Sequence, residues 1–513
     1  MRQADRLIVN AMSNYALTFL TMVSQFVMIP IVVHVLQKEG FGVANMVLVP
    51  FGVFEVLTAS FGRAMHRHIP QDVASNDIKR LCRTFSTALT GYMAMGLAGA
   101  LAVFVLFDWL LSDPGVSAAA MQDGRNAMWV LIVWLVVAFP TWAYRKGLEA
   151  IQRYDLLGLS HGLFTLARTL LVIAVFWSGR GNITFFIASH LISLIFVNLL
   201  CRRFLFRAVP GLKESFGLVD RASLLAVWSF AAATLFGMIG EISGSYGFRI
   251  LVGKQLGMGS LGALSAIWTI QLTMARTIDD LTAAFSPAIS ALDASGAKGN
   301  VMKLLMTGTK AAVLICATLA VVPIAAAAPF LVLWLGPAFR EYETLLYVLF
   351  GVLLLYCVGL PSTHVLYGLG KVHMTGTVMF IRGVGGLLLS MAYVNWINRN
   401  LTAATLCMYG VQHGGGLVLF FKACRATGAR VTKAIFEVAL WPLALAVVAA
   451  CATWVLIHQI GDDRMWKLGL AVVGGEITLM LLVMLLGFSA EERERVFSFA
   501  SRSWSRVTGP PSA

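Results

Sequence analysis

A chain of 513 residues that is 58% hydrophobic and only 12% charged, with a mean hydropathy of +0.80, would expose more apolar surface than water tolerates. That balance excludes a soluble globular protein and fits a polytopic membrane protein. The net charge of +14 implies no nucleic-acid partner, because the basic excess falls on loops of one side, where anionic membrane lipids account for it.

Apolar runs of about 20 residues predict about fourteen transmembrane helices. In chain order they lie roughly at 10–35, 43–62, 85–107, 127–144, 157–178, 184–201, 223–252, 261–287, 309–335, 344–366, 376–396, 402–421, 437–457 and 467–487. The first run is too long and too interrupted by polar residues for a cleaved signal, so an uncleaved helix is expected there. Only Gly179–Asn182 separates the fifth span from the sixth. Lys and Arg test the order, because cytoplasmic loops are the basic ones. With a cytoplasmic N-terminus, 27 of the 39 Lys and Arg residues fall on inside segments and 8 on outside loops, leaving Arg168, Arg249, Arg276 and Arg382 within spans. An even number of spans with both termini inside follows.

Outside loops are short, the longest running from about Asp108 to Gly124, and none can hold a soluble catalytic domain. The chain is therefore expected not to be an enzyme, and Asp108, Asp113 and Asp123 are read as solvated surface. The seven cysteines form no CxxC pair and no metal-ligand spacing, and read as small apolar filler. His34, His364 and His413 are unclustered, and Gly414–Gly416 lacks the strand and lysine of a phosphate loop. Neither a metal nor a cofactor is expected. The tail at 489–513 is expected to be a short cytoplasmic helix followed by disorder.

Against this apolar background, polar side chains fall into stripes. In the first span Asn10, Asn14, Thr18, Thr21 and Gln25 are spaced 4, 4, 3 and 4, which confines them to an arc of roughly 80°. Packed spans use such residues for interhelical hydrogen bonds of about 1 kcal/mol or less, and five in a row favours the lining of an aqueous cavity. The seventh span repeats the pattern with Thr234, Glu241, Ser245 and Arg249, and the eighth with Ser265, Thr269, Thr273, Arg276 and Asp280. A charge within a bilayer costs about 2.5–3.5 kcal/mol on insertion scales, so the cluster of Glu241, Arg249, Arg276, Asp279 and Asp280 marks a polar pathway. Glu241 and Arg249 stand about 12 Å apart along the helix and do not pair within it. Arg276 and Asp280, at i and i+4, either pair locally or face the cavity. Asp279 points about 100° away from Asp280 and needs its own partner or water. Glu55, Glu476, Arg168 and Arg382 are lone intramembrane charges.

An internal repeat relates these faces. Leu36-Gln37-Lys38-Glu39-Gly40-Phe41-Gly42 aligns with Leu256-Gly257-Met258-Gly259-Ser260-Leu261-Gly262 at an offset of 220 residues, which also sets Asn14 on Thr234, Thr21 on Glu241 and Gln25 on Ser245. Six spans per unit preserves orientation, so two six-helix lobes related by a pseudo-two-fold along the membrane normal are expected, with a substrate site between them. The divisions are 1–210 and 211–425 for the lobes, 426–488 for two additional helices and 489–513 for the tail.

With the Leu36–Gly42 turn, Gln152-Arg153-Tyr154-Asp155, Phe285-Ser286-Pro287-Ala288-Ile289-Ser290, Trp334-Leu335-Gly336 and Gly368-Leu369-Gly370-Lys371, all at span ends, the chain resembles bacterial polysaccharide exporters. These are the lipid-linked oligosaccharide flippases of O-antigen and exopolysaccharide pathways, within the multidrug/oligosaccharidyl-lipid/polysaccharide (MOP) superfamily. The resemblance implies an all-α integral membrane protein of the bacterial inner membrane that moves an undecaprenyl-diphosphate-linked glycan outward by alternating access. It implies substrate contacts from Arg249, Arg276, Asn14, Thr18, Thr21, Gln25, Ser245, Thr269 and Thr273. A coupling H+ or Na+ would be held by Glu241, Asp279, Asp280 and Glu55. A polymerase and other glycan-assembly proteins would be partners. Rival expectations are a cation-coupled multidrug extruder, a lipid-linked peptidoglycan-precursor flippase and, from another class, a membrane-embedded glycan polymerase or ligase.

Overall fold

The computed structural model describes residues 3–75, 77–219, 237–282, 285–294 and 298–487. Thr234, the side chains of Asn10, Asn14 and Asp280, and the tail expected at 489–513 lie outside what is described. The described residues are helical almost throughout and contain no strand.

α1 (Gln3–Ala74) carries the first two expected spans and breaks at Gln37, whose φ of 57° and ψ of 174° leave the helical region. Gln37 Nε2 donates to the His34 carbonyl at 2.6 Å, meeting an acceptor that the break would orphan. α2 (Ile78–Leu110) starts at Asp77, which accepts from the Arg80 amide, and α3 (Ala118–Val137) starts at Ser117, which accepts from the Ala120 amide. A turn at Phe139–Thr141, opened by Pro140, bends the next span by 52° into α4 (Trp142–Ala150). α5 (Tyr154–Trp177) and α6 (Ile183–Ala208) are separate helices, divided where Gly179 takes a φ of 72° and Asn182 caps α6. α7 spans 237–255 and contains a π turn at Ser243–Gly247. The remaining helices are α8 (Met258–Thr282), α9 (Phe285–Ala294), α10 (Lys298–Cys316), α11 (Ala327–Leu335), α12 (Glu343–Gly368), α13 (Val372–Trp396), α14 (Leu401–Thr427), α15 (Val431–Ile435), α16 (Trp441–Ile460) and α17 (Met465–Leu482).

Among the described residues nine helices are long and apolar enough to cross a membrane, or ten if the bent pair counts as one span. The first two expected spans run together, part of the seventh is not described, and α8 and α14, rich in polar side chains, are not among the nine. The chain is a multi-pass membrane protein. Its exposed apolar side chains agree: in the first half of α1, Phe19, Met22, Val23, Phe26 and Val27 face outward, where lipid covers them.

The 220-residue offset also has a counterpart in backbone geometry. Of the nine described residues with positive φ, six pair at close to this offset, Gln37 with Gly257, Gln152 with Gly370 and Gly211 with Gly428, separated by 220, 218 and 217 residues, while Gly179, Gly336 and Gly461 have no such counterpart. Three sequence motifs at span ends are therefore turns at which the chain reverses, and glycine stands where no side chain has to be tolerated.

Contacts divide the chain into two compact units, Met1–Thr273 with Val372–Gly415, and Met274–Lys371 with Gly416–Ala513. This division by packing differs from the repeat boundaries at 210 and 425, which mark recurrence along the chain. In the first unit the repeated turns cross each other. A Cβ on Gly42 would fall on the Met258 carbonyl, 3.1 Å from the Gly262 amide, and a Cβ on Gly262 would fall on the Lys38 carbonyl, 3.0 Å from the Gly42 amide. Lys38 and Met258 are themselves repeat equivalents, so the contact is reciprocal, as a two-fold axis through it requires. In the second unit the two additional helices α16 and α17 cover the broken ninth span: Leu445, Ala446, Ala449, Leu479 and Val483 bury against Ala317, Val321 and Val322.

Two aspartates read as solvated surface are instead helix caps. Asp113 accepts from the Met258 amide at 2.7 Å, at the start of α8. Asp123 accepts from the amides of Ile183 (2.6 Å) and Thr184 (3.2 Å) and from the Thr184 hydroxyl, at the start of α6. The correction has a simple cause: orphan amides at a helix start recruit a carboxylate from another segment, which spacing along the chain does not reveal. Asp108 is exposed as expected and pairs with Arg125 at 3.2 Å. Asp123→Ala is expected to cost about 2 kcal/mol, measured as a lower unfolding midpoint of the purified chain in detergent.

Candidate functional site

The polar stripe of α1 lies on its less exposed side. Thr18, Thr21 and Gln25 are partly buried, and Thr21 returns its hydroxyl to the Leu17 carbonyl at 2.8 Å. The stripe of α8 meets it: Thr273 Oγ1 lies 3.4 Å from Gln25 Oε1 and also bonds the Thr269 carbonyl at 2.8 Å, while Thr269 bonds the Ser265 carbonyl. Two of the predicted stripes are thus joined directly.

α7 presents the charged part. Glu241 is exposed and Ser245 Oγ donates to its Oε1 at 3.3 Å, one turn away. Arg249 stacks on aromatic rings, with its guanidinium carbon 4.2 Å from the centroid of Trp268 on α8 and 5.7 Å from that of Tyr246. Tyr246 in turn packs against Gly52 of α1, where any Cβ would strike the ring. A guanidinium held over indole keeps its planar edge oriented, and that edge matches the oxygens of phosphate or carboxylate. The π turn at Ser243–Gly247 separates Glu241 from Arg249; such insertions in an α-helix frequently mark functional sites. Sequence spacing found Arg249 but not its aromatic support, since Trp268 and Tyr246 carry no polar signature.

A second polar cluster lies in the same unit. Gln271 of α8 and His413 of α14, both buried, stand 3.3 Å apart through their Nε2 atoms. Tyr409 stacks on His413 with centroids 5.7 Å apart, and the Gln412 amide fills the space over Gly244, next to Ser245. His413 thus has a polar neighbour that the sequence did not reveal, because Gln271 lies 142 residues away.

Arg276, Asp279 and Asp280 belong to the other compact unit. Arg276 is exposed, and Asp279 Oδ1 stands 3.0 Å from Nε2 of His364 on α12. Asp279 thus has the partner its position requires, and His364, read as isolated, supplies it. Glu55 on α1 is partly buried, and on α4 the Lys146 ammonium lies 2.7 Å from Glu149. Arg145 and His66 approach the same Glu149 carboxylate at 3.1 and 3.5 Å.

At the crossing of the repeated turns, Lys254 reaches the carbonyls of Trp109 (2.6 Å) and Ser112 (2.7 Å) and the Ser112 hydroxyl (2.6 Å). Partial burial lowers the pKa of this ammonium from the ordinary lysine range, and Asp113 opposes that shift. With the Asp113 cap on α8, these bonds tie the loop after α2 to the end of α7. All seven cysteines are free, and among the described residues no three His, Cys, Asp or Glu side chains converge to hold a metal.

No protein-family model matches the chain, and no curated protein matches its sequence. Solved structures share its fold. A lipid II flippase MurJ in an inward closed conformation superposes with a TM-score of 0.70 at 11% identity, over 93% of this chain and 98% of that one. An inward-facing multidrug resistance MATE family transporter of the MOP superfamily gives 0.69 at 15% identity, over 82% and 99%. A MOP superfamily transporter from Pyrococcus furiosus, described by a reverse polarity of its binding pocket that suggests a different function, gives 0.54 at 15%, over 82% and 95%. At these identities the likeness establishes a common fold.

Proposed function

We propose that this chain, built on the fold shared by MATE and MurJ transporters, flips undecaprenyl-diphosphate-linked oligosaccharide repeat units from the inner to the outer leaflet of a bacterial inner membrane. It serves O-antigen or exopolysaccharide assembly, works by alternating access between two repeated lobes, and is coupled to an ion. Both termini are cytoplasmic, and the chain performs no covalent chemistry. The observation that carries the reading is Arg249 held over Trp268 and Tyr246 beside the joined stripes of α1 and α8. A cation on a polar face suits an anionic diphosphate or acidic sugar, with Thr18, Thr21, Gln25, Ser245, Thr269 and Thr273 contacting the glycan. Asn14, four residues before Thr18 in the sequence, is assigned the same role. Arg276 is the second anion contact, and Glu241, Asp279, Asp280 and Glu55 serve ion coupling. The isoprenoid tail stays in the bilayer, and a polymerase receives the flipped unit.

A second reading, a lipid-linked peptidoglycan-precursor flippase, is favoured by the MurJ likeness over 93% of this chain; its cargo shares the same diphosphate. A multidrug extruder is disfavoured, because organic cations call for aromatic, acidic faces, whereas two of the polar faces here carry arginines, Arg249 and Arg276. A strain lacking this chain is expected to accumulate un-flipped lipid-linked repeat units on the inner leaflet, detected by mass spectrometry of spheroplast lipids. Single units displayed outside would identify a polymerase instead, and accumulation of peptidoglycan precursor would select the second reading.

A further inference from the structure

Resting on the ion-coupled reading above and deepening it, we propose that His364 and Asp279 together form the proton-carrying site of the transport cycle, so that the coupling ion is a proton and not sodium. The two residues are 85 positions apart in the chain, yet His364 Nε2 lies 3.0 Å from Asp279 Oδ1. His364 is largely buried, at 15% exposure, while Asp279 is 47% exposed, so one partner is sheltered and the other is reached by solvent. Both stand near the ends of their helices, Asp279 in the last turn of α8 and His364 one turn before the end of α12. At this separation one proton lies between the nitrogen and the carboxylate oxygen. Taking up a second at Nδ1 converts a carboxylate–imidazole pair of charge −1 into a neutral carboxylate–imidazolium pair, and releasing it restores the first state. At Oδ1 sodium would share its oxygen with an N–H donor, whereas a proton is taken up at the imidazole with no further oxygen ligand.

The remaining charged residues on the elements packed around the pair are Arg276 and Asp280 on α8, Asp293 on α9, Lys298, Lys303 and Lys310 on α10, Glu343 on α12, and Lys422 and Arg425 on α14, whose Gly416 meets Gly359 of α12. Tyr367 is the neighbouring ionisable group on α12. Arg276 lies three residues before Asp279, one helical turn away, so the change of one unit charge is felt at the proposed diphosphate contact.

The test uses the purified full chain in phosphatidylethanolamine/phosphatidylglycerol proteoliposomes, with either undecaprenyl diphosphate or ethidium as cargo and an imposed pH or sodium gradient. Diphosphate arrival is read by phosphatase accessibility and ethidium by fluorescence. The wild type is expected to respond to the pH gradient and not to the sodium gradient. His364→Gln and Asp279→Asn should each lower that response at least about tenfold, the double variant should fall no further than either single one, and the exchanged pair His364→Asp with Asp279→His should recover most of it. If only ethidium moves, under the pH gradient and with the same dependence on His364, the glycan reading fails and the proton site stands. Sodium-driven movement, a pH-driven response retained by His364→Gln, or no movement of either cargo under the pH gradient overturns the proton site.

Discussion

Alanine at Gly42 or at Gly262 is expected to destabilise the chain by about 3 kcal/mol each, the upper end of overpacking costs, and to abolish glycan export. In both cases the new Cβ meets a backbone carbonyl, of Met258 or of Lys38, so relief requires the turns themselves to separate. Side-chain rotation does not help. Because Gly42 and Gly262, and likewise Lys38 and Met258, are repeat equivalents, the two clashes are one crossing seen from either side. A single separation of the turns relieves both, and the double variant should cost about 3–4 kcal/mol, well short of the additive value of about 6. Export is lost because the same separation pulls on the caps and bonds that Asp113 and Lys254 make there. Denaturant titration of the purified chain measures the stabilities, and surface glycan at matched protein level measures export. Additive destabilisation would show that the two contacts are independent and would count against the reciprocal crossing.

Charge reversal at Arg249 is expected to lower affinity for undecaprenyl diphosphate by about 100-fold or more, since it removes charge-assisted hydrogen bonds and adds repulsion. Arg249→Lys should lose about tenfold, because an ammonium neither stacks on Trp268 as a guanidinium does nor presents a bidentate edge. Trp268→Leu should lose a similar factor with the charge intact, since cation–π support is worth about 1–2 kcal/mol when water is excluded. Arg276→Glu should resemble Arg249→Glu. Binding of labelled undecaprenyl diphosphate to the chain in nanodiscs checks the series. Full affinity and normal export in both reversals would remove these residues from the substrate site.

The two sets of expectations differ in how much of them was visible along the chain. The break between α5 and α6 was legible at Gly179–Asn182 because a left-handed glycine and an Asn cap act within a few residues. The stripes of α1 and α8 were legible because helical periodicity places Thr18, Thr21 and Gln25, and Thr269 and Thr273, on single faces. The caps were not: Asp113 and Asp123 looked like loop surface, and only the approach of α8 and α6 made them acceptors. His364 and His413 looked isolated for the same reason, their partners Asp279 and Gln271 lying 85 and 142 residues away.

Composition and hydropathy alone pointed to a helical, multi-pass membrane chain, and the 220-residue offset set the expectation that its two halves repeat. Both follow from local physics: burial in lipid demands apolar runs with internally satisfied backbones, and a duplicated turn leaves the same residues at the same spacing. Only the tertiary structure decided that the repeated turns cross at Gly42 and Gly262, that Arg249 rests on Trp268, and that Asp279 answers to His364. Those choices depend on which helices pack together, and a helix with one polar face has several partners that would satisfy it equally well until the whole bundle closes.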